Sequence, residues 1–186
     1  MPVQDIVKAS SDLMKKSVEH LEQQFAKVRT GRASAALVDS VRVDYYGSPT
    51  PISQVGGIST PDARTLVIQP WDAGTVSAIE KAILAANLGL TPQSDGQIIR
   101  ITVPPLTEER RKDIVKQCKK MAEDAKLAVR NVRRDANEDL RKAEKTEHFS
   151  EDERKRGEDD VQKNTDRFVK DIDHLLAEKE QQVMNE

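Results

Sequence analysis

Glycine, proline and charged residues are distributed very unevenly along this chain of 186 residues. All eight glycines and eight prolines except Gly157 and Pro2 lie between Thr30 and Pro105. Charged side chains follow the opposite pattern, with 11 among those 76 residues and 51 among the other 110. Glycine and proline punctuate strands and turns, whereas charge at this density is typical of solvated helices. The pattern therefore predicts a two-domain α+β protein, in which a strand-rich segment is inserted into a helical domain built from both ends of the chain.

Three stripes of apolar residues at three- and four-residue spacing predict three long helices in the outer segments. The stripes comprise Val3, Val7, Met14, Val18, Leu21, Phe25 and Val28; Ile114, Cys118, Met121, Ala125, Ala128, Val132 and Ala136; and Val161, Thr165, Phe168, Ile172 and Leu175. Ser150 and Glu153 form a capping box before the third helix. Because most helical stability comes from packing an apolar face, the helices are expected to share one core as a three-helix bundle.

Small residues mark two further positions in these helices. The alanines of the second stripe are expected to let the helices approach closely there. Gly157 lies inside the third helix, where glycine costs about 1 kcal/mol relative to alanine, so it is expected to soften the first turns.

Runs rich in β-branched residues predict strands in the inserted segment, at residues 40–46, 65–70 and 97–103. The sequences GSPTP and PDAR predict turns. Thr75 is expected to cap one helix whose apolar face is Val76, Ile79, Ile83 and Ala86. Trp71 is expected to pack within this small domain, which the strands and the helix together make α+β.

The chain crosses twice between the helical domain, predicted at residues 1–29 and 106–186, and the small domain, predicted at 30–105. The first crossing contains Thr30, Gly31 and Arg32, and the second contains Pro104, Pro105 and Leu106. Glycine leaves φ free, whereas proline fixes it. Paired crossings of this kind predict a hinge about which the small domain swings. An ordinary domain boundary without functional movement is the alternative.

The second helix carries a basic ribbon, defined here as Lys112, Lys116, Lys119, Lys126, Arg130, Arg133, Arg134 and Arg141. On a helical wheel these side chains lie about 150° from the apolar stripe, so they are expected to face solvent. Like charges four residues apart, as at Lys126, Arg130 and Arg134, weaken a helix, and guanidinium groups suit phosphate oxygens. The basic ribbon therefore predicts a surface for structured RNA. A merely solvated helix face is the alternative.

Other functional classes find little support in the composition. The net charge of −2 argues against a protein that coats nucleic acid by positive charge alone. His20, His148 and His174 lack metal-ligand spacing, and Cys118 is expected to be an inert buried thiol. A single cysteine allows no internal disulfide and indicates a reducing compartment. No apolar run approaches the roughly 20 residues of a membrane span, so a cytoplasmic protein without catalytic, metal or cofactor site is expected.

Five blocks in consistent order cover nearly the whole chain: KVRTGRAS (27–34), VDYYGSPTP (43–51), PPLTEERRKD (104–113), VRNVRRDAN (129–137) and EDDVQK (158–163). Through these blocks the chain resembles the ribosome recycling factor family. The resemblance implies an L-shaped molecule with a three-helix bundle and a small hinged domain. Such factors bind the large ribosomal subunit after translation termination. Together with elongation factor G and GTP hydrolysis by that partner, they separate the subunits and release messenger RNA and transfer RNA.

The resemblance also implies roles for particular residues. Arg130 and Arg133 would be the principal contacts to ribosomal RNA. The supporting residues would be Arg29, Arg110 and Arg111 near the hinge. The basic ribbon itself adds Arg134 and Lys126 as candidate contacts to RNA. The small domain would swing when elongation factor G pushes it, and the factor itself would be a monomeric cytoplasmic protein without an active site, DNA partner or membrane partner. From the residues alone, a helical adaptor protein is the competing interpretation, and an enzyme is the weakest one.

Overall fold

The computed structural model describes residues 2–185, which form two compact units. One unit combines the residues up to Val28 with Glu109–Asn185, and the other comprises Arg29–Glu108. The helices are α1 (Val3–Ala26), α2 (Val76–Ala85), α3 (Glu108–Glu147) and α4 (Glu151–Asn185). The predicted α+β class, with long helices and a small strand-rich domain, is confirmed.

The helical unit is formed by α1, α3 and α4. Lys119 contacts Glu180, and Arg141 contacts Glu158, so α3 and α4 are antiparallel. Met14 contacts Thr165 while the first turn of α1 lies beside Gly157, so α1 and α4 are parallel. Three long helices therefore lie side by side around one apolar core.

The buried faces of α1 and α4 follow the predicted stripes closely, and that of α3 is rotated. Ala122, Val129 and Leu140 of α3 are buried. The predicted Met121, Ala128 and Val132 are only half-buried. Ala128 and Val132 lie on the flank of α3 that faces α1, because a helix with two packing partners covers a broader arc than one stripe defines.

Within residues 2–185 the closest helix–helix packing is between α1 and α4, and α3 approaches neither helix as closely, so the expected close approach at the alanines of α3 is not found. A Cβ atom at buried Gly157 would lie 2.7 Å from Val3 Cγ1 and 3.1 Å from Leu140 Cδ2. Ser10 and Thr165 are also buried, and each hydroxyl donates to a carbonyl of its own helix, at 2.7 Å and 2.8 Å. Small and internally satisfied side chains thus allow α1 and α4 to approach.

The predicted capping box at the start of α4 is confirmed. The Glu153 N–H donates to Ser150 Oγ at 3.1 Å, and the Ser150 N–H donates to Glu153 Oε2 at 2.7 Å. The hydrogen bond from the Ser150 backbone lowers the pKa of Glu153 below its ordinary value. Just before it, His148 has a φ of 56°, which reverses the chain between α3 and α4 within a few residues.

The small unit contains a hairpin and a four-stranded antiparallel sheet with order β3-β4-β6-β5. The strands are β1 (Arg42–Tyr45), β2 (Ser48–Pro51), β3 (Gly56–Asp62), β4 (Thr65–Pro70), β5 (Pro92–Ser94) and β6 (Ile99–Thr102). Alternate residues of β4 and β6, Leu66, Ile68, Ile99 and Ile101, are fully buried in one core with Ile79 and Ile83 of α2. The three predicted runs all contain strands.

Strands β2, β3 and β5 are missing from the prediction. Each lies at the edge of its sheet, where proline and glycine are tolerated because one side of the backbone needs no ladder partner. Thr75 occupies the predicted N-cap position of α2, but its hydroxyl donates to the Asp72 carbonyl at 2.6 Å and makes no capping hydrogen bond. The expectation for Trp71 is wrong. Trp71 is 72% exposed rather than packed in the core, because its side chain lies beyond the end of β4.

Candidate RNA-binding surface on α3

Arg130 and Arg134 lie on the outer face of α3 and are exposed, as the helical wheel predicts. Within residues 2–185 the Arg130 guanidinium has no hydrogen bond or ion pair. Arg134 Nε lies 3.8 Å from Asp135 Oδ1, and both side chains are more than two-thirds exposed. A contact of this kind contributes little because solvent screens it. Both arginines are therefore available to an external anion.

Lys126 departs from the prediction that the basic ribbon faces solvent. Its side chain is only 14% exposed, and its ammonium group pairs with Asp173 of α4 and lies 3.5 Å from Glu123 Oε1. The hydrogen bond to Asp173 raises the pKa of Lys126 above its ordinary value. Lys126 lies on the flank of α3 that packs beside α4, so its stem covers that helix and its charge is largely compensated.

Arg133 and Arg141 reach from α3 to side chains of α4. Arg133 is half-buried, and its Nη1 donates to Gln162 Oε1 at 3.3 Å. Arg141 Nε donates to Glu158 Oε1 at 3.3 Å, while Glu158 Oε2 accepts from Arg154 Nη1 at 3.0 Å. Arg133 therefore meets a neutral amide, whereas Arg141 meets a carboxylate.

A shallow groove of about 390 Å³ runs along this side of the helical unit. Its lining residues are Arg133, Arg134, Asn137, Glu138, Arg141 and Gln162. Three guanidinium groups around one groove provide planar, permanently charged donors, which match the geometry of phosphate oxygens. The arrangement can bind a phosphate backbone, and the one carboxylate that lines the groove, Glu138, is paired with Lys142 at 2.9 Å.

The remaining predicted contact residues are not part of this groove. Arg111 Nη1 donates to the Met184 carbonyl at 3.1 Å, in the last turn of α4, where cationic side chains stabilise helix ends. Arg29 belongs to the small unit, and its Nη2 donates to the Leu88 carbonyl at 2.8 Å. Arg110 is exposed near the start of α3. It precedes Arg130 by about 30 Å along the helix at 1.5 Å per residue.

The two crossings of the chain contact each other within the small unit. Gly31 has a φ of +83°, in the left-handed region that favours glycine. A Cβ atom there would lie 3.3 Å from Leu106 Cγ. Side-chain atoms at position 31 would therefore meet both backbone strain and the Leu106 side chain.

The α4 side chains that hold the basic ribbon were missed by reasoning from sequence. Glu158, Gln162 and Asp173 are ordinary polar residues of a charged helix, and only their pairing across to α3 gives them a role. The one available signal was the block EDDVQK, which contains Glu158 and Gln162. Lys163 is the only basic residue in that block, so its composition does not indicate phosphate binding.

Residues 2–185 show no metal site and no membrane-spanning helix. No group of three or more histidine, cysteine, aspartate or glutamate side chains is arranged to hold a metal ion. Cys118 is fully buried, as predicted, and burial raises the pKa of its thiol. None of the helices in this part of the chain combines the length and apolarity that a membrane crossing requires.

Comparison with known proteins gives one consistent result. The sequence model of the family described as ribosome recycling factor matches residues 21–184. The ribosome-recycling factor of Oleidesulfovibrio alaskensis is 55% identical over 179 residues, covering 96% of this chain and 97% of that protein. The ribosome-recycling factor of Staphylococcus epidermidis is 51% identical over 181 residues, covering 97% and 98%.

Two solved structures are similar over nearly the whole chain. A solution structure of a ribosome recycling factor is 46% identical, with a TM-score of 0.76 and coverage of 99% of this chain and 98% of that one. The second structure comes from models of the T. thermophilus ribosome recycling factor and the E. coli elongation factor G bound to the E. coli post-termination complex. Its matching chain is 45% identical, with a TM-score of 0.64 and coverage of 98% and 99%.

Proposed function

The chain belongs to the ribosome recycling factor family, and on this premise we propose that it recycles ribosomes after translation termination. It binds the large subunit of the post-termination ribosome. With elongation factor G and GTP hydrolysis by that partner, it promotes separation of the subunits and release of messenger RNA and transfer RNA. A relative is described together with elongation factor G on the post-termination complex, which supports both partners.

One observation carries the proposed role of α3. Arg130 and Arg134 project from the outer face of a continuous 40-residue helix, and neither is tied to α4. Arg133 lines the groove together with Arg134, and its hydrogen-bond partner is uncharged. We propose that these three arginines contact phosphates of ribosomal RNA, with Arg110 in support. Arg29 and Arg111 could serve as contacts only through N–H donors that their carbonyl partners leave available.

Co-sedimentation with empty large subunits tests this surface. Replacement of Arg130, Arg133 and Arg134 by alanine is expected to weaken binding by about 1.5–3 kcal/mol for each lost charge-assisted contact. Arg156→Ala is the matched control, because it removes one exposed arginine from α4 outside the groove. Wild-type affinity in the triple variant would favour a helical adaptor whose basic ribbon is only a solvated surface.

Salt dependence provides a second measurement on the same proteins. Binding through phosphates releases counterions, so log K falls linearly with log salt concentration. The slope is expected to decrease in magnitude by about 0.7–0.9 for each phosphate contact that an arginine-to-alanine change removes. A slope that is the same in the wild type and the triple variant would contradict phosphate contacts by these residues.

We propose that the chain acts without catalysis of its own, as a monomer in the cytoplasm where ribosomes translate. It needs no cofactor, metal ion, DNA or membrane for this role. The groove offers donors for phosphate oxygens but no residue with an activated nucleophile or base. Incubation of the purified chain with GTP tests the assignment, and turnover without elongation factor G would revive an enzymatic function.

We also propose that residues 30–105 move as a domain relative to residues 1–29 and 106–186. The hinge would consist of Thr30, Gly31, Arg32, Pro104, Pro105 and Leu106. Its support is the left-handed glycine packed against Leu106, where two chain crossings run side by side. A disulfide engineered between the domains is expected to preserve ribosome binding and abolish subunit splitting, with recovery on reduction. Because Cys118 is fully buried, it would not compete for the new pair. Splitting by the oxidised protein would show that movement is dispensable.

A further inference from the structure

The side chains of α4 give the cations of α3 partners of different charge. Asp173 pairs with Lys126, and Glu158 accepts a hydrogen bond from Arg141. Gln162 accepts one from Arg133 at 3.3 Å. A carboxylate compensates the charge of its partner, whereas an amide leaves that charge intact. Of these three α3 cations, only Arg133 is both held by α4 and left with its full positive charge.

Asp166 fixes the orientation of the Gln162 amide. Gln162 Nε2 donates to Asp166 Oδ1 at 2.8 Å. An ionised carboxylate only accepts hydrogen bonds and a guanidinium only donates them, so the amide must turn its nitrogen to Asp166 and its oxygen to Arg133. The two neighbours, Arg133 and Asp166, therefore allow only one orientation of the Gln162 amide. Asp166, which fixes it, lies one turn further along α4.

We propose that Gln162 is a positioning residue for RNA recognition, which orients the Arg133 guanidinium at the α3–α4 groove and keeps its charge available for an RNA phosphate. The amide engages Nη1 alone, and the guanidinium has five N–H donors, so others remain for phosphate oxygens. A flexible arginine would lose more side-chain freedom on binding than one already held in place. The inference rests on the proposed function, because it deepens the role of Arg133 in that surface.

A charge-conserving exchange separates positioning from simple packing. The double variant Gln162→Glu with Asp166→Asn keeps a donor facing an acceptor at each contact, and it keeps the net charge. It moves one carboxylate from position 166 to position 162, directly against Arg133. Asp166→Asn alone is the matched control, because the asparagine oxygen can still accept from Gln162 Nε2 while no carboxylate faces Arg133.

The measured quantity is the dissociation constant for empty large subunits at fixed salt. A screened ion pair at position 162 is expected to weaken binding about five-fold in the exchange variant, whereas Asp166→Asn binds as tightly as the wild type or more tightly. Gln162→Ala is expected to weaken binding about two- to ten-fold, because the guanidinium must then be ordered on binding. When Arg133 is already alanine, neither the Gln162→Glu with Asp166→Asn exchange nor Gln162→Ala is expected to change the dissociation constant further.

The outcomes distinguish this inference from the proposed function. Wild-type affinity in the exchange variant, with weaker binding by Arg133→Ala, would overturn the positioning role alone. Wild-type affinity in Arg133→Ala would overturn the RNA contact of Arg133 and the positioning role with it. Losses at position 162 that persist in the Arg133→Ala background would also overturn the inference, because they would act through another group. Circular dichroism of each variant confirms that α4 is retained before affinities are compared.

Discussion

Gly157→Ala tests whether the contact between α1 and α4 limits the size of the side chain at that position. In an open helix the change would stabilise the protein by up to about 1 kcal/mol, since alanine is the better helix former. Here the added methyl group would lie 2.7 Å from Val3 Cγ1 and within 3.3 Å of both δ carbons of Leu140. Leu140 is fully buried, and the β-branched Val3 has little rotamer freedom in a helix.

The magnitude follows from these two opposing effects. Overpacking a well-filled core costs about 1–3 kcal/mol, which exceeds the gain in helix propensity. We therefore expect Gly157→Ala to destabilise the helical unit by about 1 kcal/mol. For a domain of roughly 100 residues this corresponds to a melting temperature lower by about 4–8 °C. Denaturation followed by circular dichroism at 222 nm measures the effect, because long helices dominate that signal.

A second substitution identifies the cause. Val3→Ala removes Cγ1, the nearest atom, so Gly157→Ala should cost about 1 kcal/mol less in the Val3→Ala background than in the wild type. Hydrogen exchange in β4 of the small unit serves as a control and should not change. Stabilisation by the full propensity gain in the wild-type background would refute the reasoning, because it would mean that the helices yield freely at this contact.

Further predictions concern capping, titration and exposed side chains. Ser150→Ala should destabilise the helical unit by about 1 kcal/mol in urea denaturation, because the Glu153 N–H loses its acceptor. The pKa of Glu153 is lowered by the Ser150 N–H, so its ionised form stabilises the fold above the ordinary pKa of 4.5, and this contribution is lost as pH falls through the lower folded pKa. A carboxyl titration by NMR should therefore give a Glu153 midpoint below 4.5. Lys126→Met should leave ribosome affinity within about two-fold, because Asp173 already compensates the ammonium group. Trp71→Ser should change the free energy of unfolding by less than about 0.5 kcal/mol, because the indole is exposed.

The long helices and the two central strands β4 and β6 could be predicted because the spacing of their apolar residues shows which face of each element is buried. In α1 and α4, apolar residues recur at helical spacing and become the buried face. In β4 and β6 the alternate residues become the core. The edge strands β2, β3 and β5 lack an alternating apolar pattern of this kind. Their prolines and glycines meet the requirements of an edge, and only the pairing with a neighbouring strand makes them strands.

The candidate site also contains residues that the sequence predicts and residues that it does not. The difference is whether their position depends on one helix alone or on the packing of a second helix. The outward direction of Arg130 and Arg134 follows from helix geometry alone, so the sequence predicts it. The covered position of Lys126 depends on where α4 packs, which no periodicity within α3 specifies. The pairing of Arg133 with Gln162 joins residues 29 positions apart, and a neutral amide carries no charge pattern to reveal it.

The parallel packing of α1 against α4 determines when the helical unit can form during synthesis. Residues 29–108 are contiguous, so a nascent chain can complete the small unit as soon as that segment has emerged. The apolar face of α1 precedes the small unit in the chain, but it has its closest neighbour in α4, which follows the small unit and α3. The core face of α1 must therefore remain incompletely covered until α4 has been synthesised and has left the ribosome.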